Sequence, residues 1–193
     1  KKVTVALSAD AGDEIFFFYN RYDYISRYGN KLKAIPQPIR KLAAASMERV
    51  SSTSIPILRN KPNFHSRYDK LKNLLRDPSP SALLKNLNQV FTEKDISKLF
   101  NKDTKVLTTL HTSTELKKEY YDALSFMMAV DYQTYMVDDI LQKVDRATMS
   151  CSLEGREPFL DQHIIEWAAQ LPADYKYKDG QKKYILKQIV HQY

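Results

Sequence analysis

The sequence contains a single cysteine, Cys151, and no apolar run of the length of a membrane span. One cysteine cannot form an internal disulfide, which excludes a disulfide-stapled fold and favours a reducing compartment. A transmembrane helix needs about 20 apolar residues, so we do not expect a membrane protein. The opening KKVTVALSAD has too short an apolar run for a signal peptide. We therefore expect a cytoplasmic protein in which Cys151 is buried, as free cysteines usually are.

Histidine is also scarce, and its positions do not suggest a metal site. The four histidines are His65, His111, His163 and His191. They lie far apart, whereas histidine metal sites show short, regular spacings between ligands. We predict no histidine-based metal centre.

Lysine and arginine outnumber aspartate and glutamate, 30 to 23, which gives a net charge of +7. A basic chain can bind an anionic partner such as a nucleotide or nucleic acid, although a basic solvated surface is the commoner explanation. The segment HSRYDKLK interleaves basic and aromatic residues, which leaves open a non-enzymatic helical module that binds nucleic acid. We favour that alternative less, because most aromatic residues recur at the spacing of helical cores.

The apolar pattern predicts one short strand followed by many helices. Val3–Ser8 is a β-branched run typical of a buried parallel strand. The segment 13–28 is predicted as one continuous helix with an acidic start. Further helices are predicted within 33–50, 61–82, 83–112 and 114–149, after LEGREPFLD, and after DGQKK. Because a domain with one strand is implausible, we interpret the chain as a piece of a longer α/β protein whose other strands precede it. An uncovered sheet edge would favour a homo-oligomer.

Three acidic residues, Asp10, Asp13 and Glu14, lie where the predicted strand ends and the helix begins. One interpretation is helix capping, in which Asp10 or Asp13 accepts backbone N–H groups. The other is a functional site, because carboxylates at the end of a strand can hold a magnesium ion or accept a proton. Spacing alone leaves both open and favours capping.

Two basic motifs near the end of the chain are similarly ambiguous. Lys182 and Lys183 follow a glycine turn and are either exposed or projected toward a phosphate group. In EGREPFLD, the residues Glu154, Arg156 and Asp161 are interpreted as ion pairs that hold a loop between helices.

In this order, the motifs resemble the carboxyl-terminal synthetase domain of glutamine-dependent asparagine synthetases. The matching stretches are LSADAGDEIFFFYNRY, DDILQKVDRATMSCSLEGREPFLD and LPADYKYKDGQKKYILK. The resemblance implies that residues 1–193 form the carboxyl-terminal part of such a synthetase domain. It implies an α/β fold like that of the adenine nucleotide α-hydrolases (ATP pyrophosphatases), of which this chain is a mostly helical part with one strand or few strands. The implied reaction uses ATP to convert aspartate to asparagine through β-aspartyl-AMP, with ammonia from a glutaminase domain.

The resemblance also implies roles for individual residues. Ser8 and Ala9 match positions that contact the nucleotide. Asp10 matches an acidic residue associated with forming and using the acyl-adenylate. Asp13 matches a magnesium ligand, and Lys183 matches the catalytic lysine that binds pyrophosphate. Glu154 and Arg156 remain structural ion-pair candidates.

The sequence departs from the family pattern SGDGGDELFGGYxRY at four glycines. Ala9 and Ala11 replace two of them, and Phe17 and Phe18 replace the pair before Tyr19. Alanine is less tolerant of positive φ than glycine, and the phenylalanines either fill the core or reshape the acceptor pocket. A relative that amidates another carboxylate, such as a sugar acid of a surface polysaccharide, is therefore an alternative. The family's SGGxDS loop does not occur in these residues, so we expect the chain alone to be inactive.

Overall fold

The computed structural model describes residues 3–50, 52–55, 64–91, 93–100, 109–120 and 122–193. The chain divides into two compact units. The first comprises Lys1–Tyr22 and Thr114–Tyr193, and the second comprises Asp23–Ser113. No helix in the described ranges is long and apolar enough to cross a bilayer.

The first unit contains a pair of short parallel strands, β1 (Val5–Leu7) and β2 (Glu154–Arg156). The register pairs Val5 with Glu154 and Leu7 with Arg156. The predicted parallel strand is therefore confirmed, but its predicted burial is wrong, because Val5 is 38% and Leu7 is 74% exposed. The prediction of a loop at LEGR is also wrong. A three-residue strand centred on glycine has no alternating pattern of its own. β2 forms because it pairs with β1. The two strands are distant in the sequence, since parallel strands can be joined only through a long crossover connection.

The predicted continuous helix over 13–28 is also wrong. Two helices occupy this region, α1 (Gly12–Phe16) and α2 (Asn20–Ala34). They are separated at Phe17, whose φ of 62° and ψ of 91° are incompatible with a right-handed helix. The backbone N–H of Phe17 bonds back to the carbonyl of Asp13, which closes the end of α1.

The longest predicted helical region, 114–149, begins with a short helix and continues as one long helical run. The short helix is α7 (Thr114–Glu119). The run consists of α8 (Ala123–Asp131), a π-helix (Tyr132–Leu141) and α9 (Gln142–Ser150). Asp122 caps α8 by accepting a 2.8 Å bond from the backbone N–H of Ser125. In the sequence, Tyr121, Leu124, Met128 and Tyr132 recur at helical spacing, which predicts a stripe that faces the core. Met128 is buried and Tyr132 packs against the core, Leu124 is half-buried, and Tyr121 lies outside the described residues.

The rest of the first unit packs beside α1 through three helices near the end of the chain. They are α10 (Gln162–Gln170), α11 (Ala173–Lys176) and α12 (Tyr184–Val190). A short 3-10 turn, Pro158–Leu160, precedes α10. The core cluster consists of Ala11, Ile15, Phe16, Met136 and Ala168. Asp161 caps α10 through a 2.9 Å bond from the N–H of His163. The expected role of Asp161 in an ion pair is thus replaced by a capping role.

The second unit is helical and begins within α2. Its other helices are α3 (Gln37–Arg49), α4 (Phe64–Arg76), α5 (Pro80–Asn88) and α6 (Glu93–Leu99), with 3-10 turns at Ser52–Ser54 and Leu110–Thr112. Its buried residues include Ile25, Ala44, Leu74, Leu83 and Leu84. The helix predicted within 33–50 is confirmed as α3, which carries Pro38 in its first turn. The boundary predicted between 82 and 83 is wrong, because α5 runs across it from Pro80 to Asn88.

The predicted burial of Cys151 is wrong, because Cys151 is exposed. It follows the last residue of α9, where the chain turns to enter β2. The turn is formed by Ser152, whose φ is 53°, and the N–H of Cys151 bonds to the carbonyl of Thr148 at 3.0 Å. The backbone geometry of this turn, rather than the polarity of the thiol, places Cys151 at the surface.

Candidate functional site

The carboxyl end of β1 presents Ser8, Ala9 and Asp10 in a short polar turn. The backbone N–H of Ser8 bonds to the carbonyl of Arg156 at 2.9 Å, which extends the pairing of the strands by one residue. The hydroxyl of Ser8 donates a hydrogen bond to the carboxylate of Asp10. Ser8 and Asp10 are half-buried and Ala9 is exposed. The turn therefore holds the Asp10 carboxylate close to the end of the strand.

Neither Asp10 nor Asp13 caps the following helix. The N-cap of α1 is Ala11, and no side chain accepts a hydrogen bond from the first turn. The capping interpretation is therefore wrong. Ala11 has a φ of 69°, a conformation that glycine adopts more readily. The family pattern has glycine at this position. Here alanine adopts the positive φ that glycine would adopt at lower cost.

Asp13 forms an ion pair with Lys183, with 2.5 Å between Oδ1 and Nζ. The side chains retain 34% and 24% of their exposure, so both groups remain within reach of solvent. Lys183 lies at the N-cap of α12 with a φ of 52°, and its N–H bonds to the carbonyl of Phe17 at 3.3 Å. Its ammonium also lies 4.8 Å from the centroid of the exposed Phe18 ring. The turn between α1 and α2 thus fixes the lysine that faces Asp13.

Gly12 permits this approach. A β-carbon at Gly12 would lie 3.2 Å from two ring atoms of Phe159 and 3.6 Å from Nζ of Lys183. Contacts near 3.2 Å require the neighbouring ring to move. Glycine therefore allows Phe159 and the Lys183 ammonium to pack directly against the first residue of α1.

The neighbouring lysine points to a different group. Lys182 donates a 2.5 Å bond to Oδ1 of Asn20, and its ammonium lies 5.7 Å from the Phe18 ring. Of the two adjacent lysines, Lys183 is the one paired with Asp13. The resemblance had named Lys183 rather than Lys182 as the site lysine, whereas the position of the two lysines after a glycine turn did not distinguish them.

Glu154 and Arg156 form an ion pair on β2, with 2.7 Å between Arg156 Nε and Glu154 Oε1. Both side chains are more than half exposed. They flank Gly155, which pairs with Ala6 of β1. β2 contacts the candidate site through its backbone: the carbonyl of Arg156 accepts a hydrogen bond from the backbone N–H of Ser8.

The sequence analysis grouped Glu14 with Asp10 and Asp13 as a possible site carboxylate but gave it no role of its own. The Glu14 side chain is 1% exposed, and the hydroxyl of Tyr19 donates a hydrogen bond to its Oε1. Its Oε2 is buried without a hydrogen-bond partner among the described residues. Burial raises the pKa of Glu14, although the Tyr19 bond opposes the shift. The only signal in the sequence was the position of Glu14 next to Asp13.

Asp131 was missed altogether, and it anchors the start of α2. The fully buried carboxylate of Asp131 accepts bonds from Nε and Nη2 of Arg21, at 3.1 and 2.7 Å, and from the Tyr22 hydroxyl. Burial by itself would lower the pKa of Arg21, but the Asp131 carboxylate raises it above its usual range. Arg21 also stacks 4.1 Å from the centroid of the Tyr19 ring. No local pattern could reveal this network, because its acid and base lie far apart in the chain.

Two carboxylates that follow β1, those of Asp10 and Asp13, belong to the ligand class that magnesium prefers. Within the described ranges, no three His, Cys, Asp or Glu residues are grouped so that protein alone could hold a metal. Magnesium commonly takes only one or two protein carboxylates and completes its shell with water and substrate phosphates. Asp13, with Asp10 three residues before it, supplies carboxylates of that kind.

Comparisons with known proteins agree with the motifs. The family model described as asparagine synthase matches residues 1–193. Asparagine synthetase [glutamine-hydrolyzing] 1 of Bacillus subtilis is 31% identical over 97% of this chain. Putative asparagine synthetases [glutamine-hydrolyzing] of Mycobacterium bovis and Mycobacterium tuberculosis are 29% identical over 98% of it.

The chain spans 28% of the length of the Bacillus protein and 27% of the mycobacterial ones. No solved structure matches the chain. The family match nevertheless extends from the first residue to the last. The chain belongs to the asparagine synthase family.

Proposed function

We propose that this protein takes part in the ATP-dependent amidation of aspartate to asparagine through β-aspartyl-AMP, with ammonia derived from glutamine. The observation that carries the proposal is the ion pair between Asp13 and Lys183 beside the end of β1. It brings a potential metal ligand and a cation together from opposite ends of the chain. Phosphoryl and adenylyl chemistry on ATP needs such groups, because positioning and charge neutralisation supply most of the rate.

Lys183 is proposed to neutralise the pyrophosphate that leaves when the aspartate carboxylate attacks the α-phosphorus of ATP. Its fixed position at the N-cap of α12 suits this role, since a preorganised cation needs no reorientation during the reaction. The neighbouring Phe18 ring adds a weak attraction that helps to hold the ammonium in place.

Asp13 is proposed to hold a magnesium ion, with Asp10 close to the same strand end. When bound, the ion would supply charge stabilisation to the phosphate oxygens. Asp13 would then have a positively charged partner in each state: the ammonium of Lys183 in the free protein and the magnesium ion when it is bound. The pairing with Lys183 orients the Asp13 carboxylate before the substrate arrives.

Asp10 is proposed to act on the acyl-adenylate, either by accepting a proton from the attacking ammonia or by orienting it. The bond from the Ser8 hydroxyl fixes one side of the carboxylate and leaves the other oxygen for a substrate. Ser8 and Ala9 are proposed to contact the nucleotide, and the exposed methyl group of Ala9 allows a ligand to approach the backbone there.

One observation favours a second candidate, the amidation of a different carboxylate such as a sugar acid. Phe18 is 48% exposed and lies within 5 Å of the Lys183 ammonium, where the family pattern has glycine. The expectation that both phenylalanines fill the core therefore holds only for Phe17, which is fully buried. An exposed ring beside the proposed site changes the shape that an acceptor must fit.

The proposal is tested by following pyrophosphate release from ATP and magnesium, with ammonia present and aspartate present or absent. The longest natural form of the protein and the 193-residue chain are assayed side by side. Lys183→Met and Asp13→Asn should each lower aspartate-dependent release about 100-fold or more, as expected for the loss of one charge-stabilising group. Lys182→Met, which removes the adjacent lysine, should leave the rate close to that of wild type.

Three outcomes distinguish the candidates. Release that depends on aspartate and is lost in Lys183→Met supports asparagine synthesis. Release that ignores aspartate but responds to a uronic acid supports the second candidate. Full aspartate-dependent release by Lys183→Met would contradict the proposed site.

A further inference from the structure

The two units of the chain differ strongly in charge. The second unit contains 17 lysine and arginine residues against 7 aspartate and glutamate residues, which gives it a net charge of +10. The first unit contains 13 against 16, a net charge of −3. The positive charge of the chain therefore belongs to the helical second unit, whereas every residue proposed to act on ATP lies in the first. A unit with this charge attracts anionic surfaces.

Within the second unit, one stretch of sequence that covers most of α2 and α3 carries positive charge alone. No acidic residue occurs between Asp23 and Glu48, whereas five basic residues do. Glu48, the acidic residue of α3, is itself paired with Arg76. Three of the five basic residues are exposed and take no part in the ion pairs of the described residues, namely Lys31, Lys33 and Lys41. Their charge is therefore available to a partner.

The helix α3 also exposes apolar side chains. Ile39 and Leu42 lie three residues apart, so they share one face of the helix, and they are 57% and 70% exposed. Ser46 follows on the same face and donates its hydroxyl to the carbonyl of Leu42 at 2.9 Å, which satisfies it within the helix. Arg49 ends this face and is exposed. We call these four residues the α3 face, and Lys41 flanks it.

The opposite side of α3 is already packed. Ala44 is buried, and α3 lies against α4. The hydroxyl of Tyr68 on α4 shares a hydrogen bond between the carbonyls of Met47 and Val50, at 3.1 and 3.0 Å. Rotation of α3 to bury the α3 face would break these contacts. The helix is therefore held with its aliphatic side chains directed outward.

The combination of aliphatic side chains with unpaired lysines identifies the partner. A nucleic acid would match the charge, but Ile39 and Leu42 offer its bases no aromatic surface for stacking. A second copy of the chain would bring another unit of charge +10 against the first. The surface of an anionic bilayer accepts both features, because its headgroups attract lysine and arginine while aliphatic side chains enter the boundary of the acyl chains. Docking of this kind needs no helix that spans the membrane.

We propose that the second unit docks on an anionic lipid bilayer through the α3 face. Ile39 and Leu42 enter the acyl boundary, and Lys41 and Arg49 lie among the headgroups. The remaining charge of the unit adds a longer-range attraction to the same surface. The proposal does not depend on the proposed function, because it concerns the second unit and requires neither ATP nor an acceptor.

Binding is measured by co-sedimentation with vesicles of phosphatidylcholine, prepared with and without phosphatidylserine. The longest natural form of the protein and the 193-residue chain are compared. We expect both to bind the vesicles that contain phosphatidylserine and to leave pure phosphatidylcholine vesicles unbound. An increase in salt from about 0.1 M to about 0.5 M should weaken binding about tenfold or more, because exposed charges are then screened.

Substitutions on α3 connect the binding to the named side chains. Ile39→Gln and Leu42→Gln should each weaken it about tenfold, because each removes an apolar group from the acyl boundary. Lys41→Gln should weaken it about fivefold. Leu42→Trp should bind at least as tightly as wild type, since an indole suits the membrane interface. Val190→Gln and Lys187→Gln, which change exposed residues of α12 in the first unit, should leave binding unchanged.

Circular dichroism of each variant shows whether it keeps the fold, which exposed substitutions should not disturb. The proposal is overturned if the longest natural form binds neither kind of vesicle, or binds both equally. It is also overturned if binding survives unchanged in a folded Leu42→Gln. Binding to a single-stranded RNA oligonucleotide without binding to vesicles would assign the basic unit to nucleic acid instead. Vesicle binding by the 193-residue chain alone would mean that the rest of the protein covers the α3 face, and would overturn the proposal too.

Discussion

The carboxylate of Asp13 lies 2.5 Å from the ammonium of Lys183, which joins the turn after the first strand to the start of the last helix. The contact is short, but both groups keep access to solvent. The ion pair therefore contributes little to the free energy of unfolding. Its importance for the proposed function is that it positions both charged groups. It fixes a carboxylate and a cation at the end of β1 before any ligand binds.

A double-mutant cycle on Asp13→Asn and Lys183→Met should give a coupling of about 0.5–1 kcal/mol in the free energy of unfolding. The figure is small because water screens a pair that is about a quarter to a third exposed. The measurement is urea unfolding followed by the fluorescence of Trp167, which belongs to the same unit. A cycle on Asp139 and Lys143, an exposed pair on the helical surface, should give a smaller coupling. Equal couplings would contradict the special position of the first pair.

Asp131 should matter far more for stability than Asp13. Asp131→Asn leaves the guanidinium of Arg21 without its buried counter-ion and replaces the acceptor of three hydrogen bonds. Because Arg21 keeps some exposure, the loss should be about 2–3 kcal/mol in the free energy of unfolding. The same urea experiment checks it. Asp139→Asn is the matched control and should cause no comparable loss, since Asp139 is exposed. Equal losses would show that the buried network does not hold α2.

The parts of the fold that local patterns specify could be predicted from the sequence. The β-branched run before Ser8 predicts β1, although not its exposure, and the pattern within 33–50 predicts α3. The apolar spacing around Met128 predicts α8 and its buried face. These signals lie within one element, so they do not depend on knowledge of the partner.

The parts that depend on distant partners could not be predicted. β2 exists because its backbone pairs with β1, and Glu14 is buried only because α8, α10 and the π-helix pack around α1. The motif order was enough to name Asp13 and Lys183 as candidates, but not to show that they touch. In the structure Lys183 faces Asp13, whereas Lys182 bonds to Asn20. These contacts join residues that are distant in the sequence.

Phe17 holds a backbone conformation that suits glycine, yet its ring is fully buried between Tyr22 and Tyr177. Removal of the ring should cost about 3–5 kcal/mol in the free energy of unfolding. Phe17→Gly should lose about 1 kcal/mol less than Phe17→Ala, because glycine relieves the strain at a φ of 62°. Urea unfolding of both variants gives the order.

The neighbouring Phe16 provides the control for this prediction. Phe16 is also buried, but it is the last residue of α1 and is not among the described residues with positive φ. Phe16→Gly should therefore be less stable than Phe16→Ala by about 0.5–1 kcal/mol, the usual helical preference. If alanine is the better substitute at both positions, the positive φ at Phe17 does not strain the native protein.

The buried ammonium of Lys176 should make stability depend on pH. Burial lowers its native pKa below the ordinary value of 10.5. Between the lowered native pKa and 10.5, the unfolded chain binds a proton that the native protein does not. The free energy of unfolding therefore rises with pH through this window, and the full cost of the buried charge is present below it.

Lys176→Met removes this contribution and keeps a side chain of similar length. The variant should be more stable than wild type near neutral pH, and the difference should shrink as the pH approaches 10.5. Urea unfolding of both proteins between about pH 7 and 10 measures that difference, and the tyrosines, which titrate in both proteins, cancel from it. Lys187→Met, in which an exposed lysine is changed, should differ from wild type by an amount that stays constant with pH. A constant difference for Lys176→Met as well would mean that water solvates the Lys176 ammonium in the native protein.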